Sequence, residues 1–418
     1  MISKQVNTVS LGDVTEIFTG FPFKSGQFNT DFKGVKLVRG KNVSKGFLRW
    51  GEDTRYWENV TSEYEKYLLN ENDIVISMDG SLVGKNYSKI KNEELPLLLV
   101  QRVACLRAKT NIRQNFLYYL IDNENFINYV DSVKTGTSVP HISGKQIKDY
   151  KFVLPSLEVQ DEIIKILEPI YKKIELNKKM IDNWLGIIQA LYKNWFYDFE
   201  FPNKEGLPYK TCGGEFQTSE NGPVPIGWKA CNVFDVIEEV SIKNKENNDY
   251  PVLTVVKEGV FVASDEYFSK QVYSKDTKNY KVIKKHEVGF NPSRANIGSI
   301  AMLKEFESGL LSPIYKVFRT KNELLPFYFY NYMKQTDFIE WIKHYSSGTT
   351  RQNFDIKSFK HFKINVPPIE IQEEAYRIIE PIEKKVRENI LQINTLEEIR
   401  KTILPKLLAG EINNLISV

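Results

Sequence analysis

Cysteine, histidine and methionine are scarce in this chain, at 3, 4 and 5 residues among 418. Cys105, Cys212 and Cys231 are odd in number and lack C-x-x-C spacing, which argues against both a disulfide framework and a thiolate zinc site. His141, His286, His344 and His361 fall in no H-E-x-x-H and beside no cysteine or serine signature, so they read as surface or structural residues. No run of 18 or more apolar residues occurs, and the opening "MISKQVNTVSLGDV" has no apolar core of the secretory type. A cytoplasmic protein with no membrane partner is expected. Charge of one sign is missing too: 57 Lys and Arg face 53 Asp and Glu, a net +4 that permits a polyanionic partner without requiring one.

Motifs for chemistry are equally thin. "DGSLVGKN", Asp79 to Asn86, resembles a phosphate-binding loop, but it is one residue short between its glycines and has Asn where Ser or Thr should ligate magnesium. "FNPSR", Phe290 to Arg294, lacks the second proline and the aromatic of an adenine-methyltransferase motif, and no glycine-rich cofactor loop precedes it. Neither a catalytic set nor a metal-ligand set is expected in this chain.

What the sequence does contain is itself, twice. "LPSLEVQDEIIKILEPIYKKI", Leu154 to Ile174, returns as "VPPIEIQEEAYRIIEPIEKKV", Val366 to Val386, at a shift of 212 residues. The same shift pairs Thr135–Ser138 with Ser347–Thr350 and Arg107 with Arg319; farther upstream it slips, matching Gly84 with Gly298 and Asp13 with Asp235. Each repeat thus has a divergent front and a well-matched tail. The fronts mix short β-branched or aromatic runs with turn residues and one helix-like segment near "NFLYYLIDNENFINYV", as in loop-rich mixed α/β domains. The expected organisation is a first domain over 1–154, a helical region over 155–199, a Pro- and Gly-dense linker over 200–229, a second domain over 230–366, and a helical region over 367–413.

The tails carry apolar residues at alternating spacings of four and three, the seam of a coiled coil, with Ile174, Asn177 and Ile181 in the first and Val386, Asn389 and Ile393 in the second. A polar residue in an apolar seam costs stability and fixes register and partner choice. Two similar repeats favour a pseudo-twofold arrangement, which makes the helices antiparallel and sets Asn177 opposite Asn389. Pro169 and Pro381 predict a kink after a short first helix. About 30 residues at 1.5 Å each would then give a spacer of roughly 45 Å. The fold class expected is α+β: two mixed α/β domains separated by two long helices in an antiparallel coiled coil.

Glycine-punctuated loops in the fronts carry Arg39, Lys41 and Asn42 in "RGKN", Lys85 and Asn86 in "GKNYSK", and Ser293, Arg294 and Asn296 in "NPSRANIGS". Arg reads guanine bidentately, Asn reads adenine, and Lys with Ser holds phosphates, so these are candidate DNA contacts. Arg351 follows "SSGTT", where the first repeat has Val139, and joins the candidate set.

In this order, "LPSLEVQDEI" and "VPPIEIQEEA", "ALYKNWFYDFEF", "GPVPIGWK" and "ILPKLLAGEI" resemble the conserved regions of specificity subunits of type I restriction-modification systems. The resemblance covers nearly the whole chain. It implies two target-recognition domains, each reading one half of a bipartite, asymmetric site in double-stranded DNA, with the helices setting the gap. It also implies a non-catalytic chain, docking two methyltransferase subunits and, in the full complex, two restriction subunits; S-adenosylmethionine, ATP and Mg would sit on those partners, with no cofactor here. The resemblance places Arg294 and Asn296 nearest the DNA. A tandem scaffold whose fronts bind protein instead of DNA is the competing reading.

Overall fold

The computed structural model describes residues 8–256, 258–267, 271, 273–297, 299–347, 353–354 and 356–409. The chain divides into two compact units, one made of residues 1–177 and 391–418, the other of residues 178–390. Each unit therefore takes part of both tails.

In the first unit a four-stranded antiparallel sheet runs in the order Thr15–Thr19, Val103–Ala108, Ile74–Ser77, Tyr87–Lys89. The second unit repeats it as Ile237–Val240, Lys316–Thr320, Val288–Phe290, Ile300–Met302. A short strand at the start of each domain pairs antiparallel with the strand that leads into the long helix: Thr8–Ser10 with Lys151–Val153, and Lys229–Asn232 with Lys363–Val366. Domain beginning and end are thereby tied together just where the tail leaves.

The repeated residues recur as repeated contacts. Arg107 forks onto the buried Asp73 with Nε and Nη2 both at 2.8 Å, and Arg319 forks onto the buried Glu287 at 3.0 and 2.6 Å. Ser10 N–H donates to Asp13, and Asn232 N–H to Asp235, closing the first short helix of each domain. Gln160 and Gln372, fully buried at the start of the two tails, do most to join tail to domain. Gln160 Oε1 accepts from Arg113 N–H at 2.8 Å, and its Nε2 donates to the carbonyls of Asn111 and Pro155. Gln372 does the same with Leu325 N–H, Glu323 and Pro367. That is the physical content of the "EVQ" and "EIQ" in the repeated segment.

The tails are single helices, Leu157–Phe196 and Ile369–Leu408, and they correct the expected division into a short and a long helix. Pro169 cannot donate to the Lys165 carbonyl, yet the helix runs through it. The flanking Ile163, Leu167 and Ile174 are buried, and the core they close outweighs one missing hydrogen bond. In the first unit Ile163 and Leu167 share a core with Leu404 and Leu407. In the second, Ala375 and Ile379 share one with Ile188, Tyr192 and Trp195. These are equivalent positions, so each domain is closed by its own helix and by a half of the other. Within the first unit Asn177 bonds Gln392 and Arg400 reaches Tyr171, an antiparallel register.

That register also corrects the expected asparagine pair. Asn177, fully buried, donates its Nδ2 to Gln392 Oε1 at 3.1 Å, nearly a turn past Asn389. Asn389 donates to the Lys385 carbonyl of its own helix at 2.7 Å. Ile174, Ile181, Val386 and Ile393 are buried, as a seam requires.

Two further expectations are revised. The single helix-like segment is two helices, Gln114–Ile121 and Glu124–Val133, because the Asn123 side chain caps the second by accepting from Asn125 N–H at 2.7 Å. Residues 200–229, read as a linker, pack onto the second domain. Phe201, Val224 and Trp228 are buried in its core, and Phe216–Ser219 forms a hairpin with Gly222–Pro225. No helix among the described residues is long and apolar enough to cross a membrane.

Replacing Gln160 by Ala leaves one amide and two carbonyls without their partner. The expected loss is about 1–3 kcal/mol, read as a lower calorimetric midpoint, and Gln372→Ala should cost a similar amount. Removing Arg107, which strands the buried Asp73 carboxylate, should cost more, about 3–5 kcal/mol.

Candidate nucleic-acid interface

In the first unit four loops gather at one end of the sheet. Met78 N–H donates to the Arg102 carbonyl and Gly80 N–H to that of Pro140, each at 2.9 Å; Ile142 N–H returns to Met78. The "RGKN" loop closes the group from the other side, where a Cβ on Gly40 would stand 2.9 Å from Asp79 Oδ1. Gly84 is required where the loop meets helix Glu124–Val133: its φ is +73°, and a Cβ there would fall 2.4 Å from a Val130 methyl. Its sequence match Gly298 lies outside the described residues.

Several candidate side chains on these loops are engaged by the protein itself. Asn42 is 3% exposed; its Oδ1 accepts from Arg39 N–H and Nε, and its Nδ2 donates to the Arg49 carbonyl at 3.0 Å. It staples the loop, which leaves its amide no edge for a base. The Arg39 Nη2 donates to the Asp53 carbonyl, and Lys41 pairs with the Asp53 carboxylate at 2.8 Å. That lysine holds the Asp53 carboxyl below the ordinary range. Lys85 pairs with Asp131 at 3.1 Å, and Lys134 reaches the same carboxylate at 2.6 Å. Lys134 first, then Lys85, keeps Asp131 ionised below its ordinary range. Asn86 is half-buried beside them, its carbonyl accepting from Ser77 N–H.

Arg102 escaped the sequence reading. It is exposed at the turn between "LLLV" and "VACLRA", and its φ of +70° is unusual for a residue with a Cβ. Among the described residues nothing engages its guanidinium. The signal in the sequence is a polar Gln-Arg pair between two β-rich apolar runs, which marks a turn but not its conformation.

In the second unit the equivalent loop follows strand Val288–Phe290. Asn291 is buried and holds the turn: its Oδ1 accepts from Ser293 N–H at 3.1 Å, and its carbonyl accepts from Arg294 N–H at 3.0 Å. Ser299 N–H donates to the Arg294 carbonyl at 3.2 Å and closes the loop. Arg294 stands exposed at its apex, with φ −134° and ψ 19° breaking the helical turn, and no described residue engages its side chain. Ser293 is half-buried beside it. The Asn296 side chain and all of Arg351 lie outside the described residues.

The chemistry available is recognition. Exposed guanidiniums sit on loops fixed from behind by backbone hydrogen bonds, suited to base edges and phosphates. No group of three or more His, Cys, Asp or Glu that could hold a metal occurs among the described residues.

The chain is similar to several known proteins. The chain is 33% identical over 174 residues, 41% of its length and 29% of the relative's, to the EcoAI specificity subunit of Escherichia coli. It is 25% identical to the MjaIX specificity subunit of Methanocaldococcus jannaschii over 76% of this chain and 73% of that one. Against the HindI specificity subunit of Haemophilus influenzae it is 22% identical over 98% and 97%. The fold matches a crystal structure of a type I restriction-modification S subunit from M. genitalium, with a TM-score of 0.53 at 14% identity over 97% of both chains. The family described as "Type I restriction modification DNA specificity domain" matches residues 3–183 and again 225–398, one stretch for each repeat. With both repeats covered, the chain belongs to the type I restriction-modification DNA specificity family.

Proposed function

We propose that this chain is the DNA-reading subunit of a type I restriction-modification complex, in which each domain reads one half of a bipartite site. The observation that carries the reading is the shared end of two sheets of one topology, which presents Arg102 on the turn before Val103–Ala108 in the first domain and Arg294 on the loop after Val288–Phe290 in the second. A repeated scaffold with unlike tips suits an asymmetric site. Arg294 reads a base edge in the second half-site, with Ser293 and Asn296 beside it, and Arg102 serves the first half-site. Arg39, Lys41, Lys85 and Asn86 support the first loop end; Asp53 holds Arg39 and Lys41, Asp131 holds Lys85, and Ser77 N–H holds the Asn86 carbonyl.

Chemistry belongs to other subunits in this reading. Two methyltransferase subunits would bring S-adenosylmethionine, and two restriction subunits would bring ATP and Mg; this chain supplies address and spacing. The two helices, each of 40 residues, act as the ruler between half-sites.

Binding is expected to be salt-sensitive and sequence-selective in a gel-shift series with the methyltransferase subunits present. Arg294→Ala should weaken specific duplex binding by about 1–3 kcal/mol and relax selectivity in one half-site only. Arg102→Ala should act on the other half-site. Asn42→Ala should instead lower the melting midpoint. Duplex binding untouched by both arginine variants would favour the protein-binding scaffold.

Lengthening both helices by one heptad adds roughly 10 Å, about three base pairs at 3.4 Å each. Methylation mapping at single-base resolution should then find unchanged half-sites separated by a longer gap. Changed half-site sequences would refute the ruler.

A further inference from the structure

The helix halves that close the two cores occupy equivalent places and carry opposite chemistry. In the first unit Asp122, at the end of helix Gln114–Ile121, has a side chain only 1% exposed. The hydroxyls of Tyr87 and Tyr171 donate to its two oxygens, and the Arg400 guanidinium stands 3.2 Å away. Lys45 lies at 3.8 Å on the solvent side. Arg400 also stacks over Tyr171, 5.2 Å from the ring centroid. The first domain therefore presents a buried anion, and the half of the second long helix that docks there brings the cation.

The repeat shift carries Asp122 to Lys334, Tyr118 to Tyr330 and Tyr171 to Glu383, and it carries Arg400 back to Ile188. These positions do gather in the second unit, where Ile188, Lys304, Tyr330, Lys334, Glu383 and Arg387 line one cavity of ≈ 30 Å³. Lys304 pairs with Glu383, their side chains 14% and 10% exposed. Lys334 Nζ is 3.1 Å from the Tyr330 hydroxyl, and Arg387 bonds Glu305 at 2.7 Å. Here the domain presents Lys304 and Lys334 together with Glu258 and Glu305, its own helix supplies Glu383 and Arg387, and the docking helix brings an apolar Ile188. Size differs in the same sense: Leu404 and Leu407 enter the first core where Tyr192 and Trp195 enter the second.

We propose that this reversal decides which helix half each domain accepts, so that a first repeat closes on a second repeat and rejects a copy of itself. The competitor is a second copy of this chain, whose helices are similar enough to dock in the same groove. A first repeat closed by another first repeat would set Ile188 against Asp122 and leave the buried carboxylate with only the exposed Lys45 at 3.8 Å. A second repeat closed by another second repeat would push Arg400 into a cavity where Lys304, Lys334 and Arg387 already match Glu258, Glu305 and Glu383 in number, with room for little more than a water molecule. Each self-pairing meets a penalty that the correct pairing avoids. The inference concerns assembly and stands whether or not the loop ends read DNA.

The test uses the full chain with its two key residues exchanged, Ile188→Arg with Arg400→Ile. Composition is kept, but in charge both cores are mismatched within one chain and matched between copies. The exchanged chain should lose at least about tenfold in its folding constant. A tagged copy of it should capture an untagged copy at least about tenfold more than wild type captures wild type. Wild-type stability, or capture equal to wild type, overturns the proposal. Should the exchanged chain not fold, a cycle confined to the second unit decides: Ile188→Arg and Lys334→Asp are each destabilising alone, and together they rebuild the anion–cation pair of the first unit. The double variant should then be at least about fivefold more stable than additivity predicts; strictly additive losses overturn the proposal.

Discussion

Everything in this molecule depends on one constraint: neither long helix can bury its apolar stripe against its own domain alone. A 40-residue helix with a heptad seam is not stable in water unless that seam is covered. Ile163 and Leu167 cover part of the first core, and Leu404 and Leu407 complete it; Ala375 and Ile379 stand to Tyr192 and Trp195 in the same way. Each domain is finished by residues that follow the other domain in sequence. The repeat is therefore a folding requirement before it is anything else, since a lone copy would lack one wall of its core. The buried glutamines Gln160 and Gln372 then fix the angle at which each helix leaves its domain, through three backbone hydrogen bonds apiece.

This division of labour separates what is repeated from what is free to differ. The sheet order, the Arg107–Asp73 and Arg319–Glu287 forks and the capping aspartates Asp13 and Asp235 recur because they hold the same backbone in the same place. The loops beyond the strands are held mainly by backbone hydrogen bonds, as between Met78 and Arg102 or Arg294 and Ser299, which tolerate many side chains. A loop fixed through its backbone can exchange side chains at little cost in stability. That is the property a family of sequence readers needs from its scaffold.

Much of this was legible in the sequence because repetition substitutes for structural knowledge. The shift of 212 residues pointed to the units, the tails and the seam, and the short β-rich runs pointed to mixed domains. What stayed hidden depends on context that no local pattern carries. Asn42 looks like a base reader until its burial is known; then its amide is seen to hold Arg39 and Arg49. Arg102 was passed over because a positive φ at a non-glycine residue has no sequence signature. Pro169 announced a break that the surrounding core overrules. Residues 200–229 lacked any apolar period, yet Phe201 and Trp228 bury themselves through ring contacts, which need no period. The Asn177–Asn389 expectation failed by nearly a turn, since a shared heptad position does not by itself set where two antiparallel helices cross.

Duplication poses a problem that the two tails must both create and solve. If the repeats were identical, each core would accept either helix half, and copies of the chain could close on one another as readily as on themselves. If they diverged too far, the common docking geometry would be lost. The observed compromise keeps the docking geometry and changes the charge and size of what docks. Tyr118 and Tyr330 retain the aromatic wall in both units, while Asp122 and Lys334, one repeat length apart, carry opposite signs. Buried charge is a poor source of net stability, but it is strongly selective, because a stranded carboxylate or a crowded ammonium costs far more than a paired one gains. Placing that selectivity where the docking helix meets the domain lets the tips vary without disturbing which half meets which.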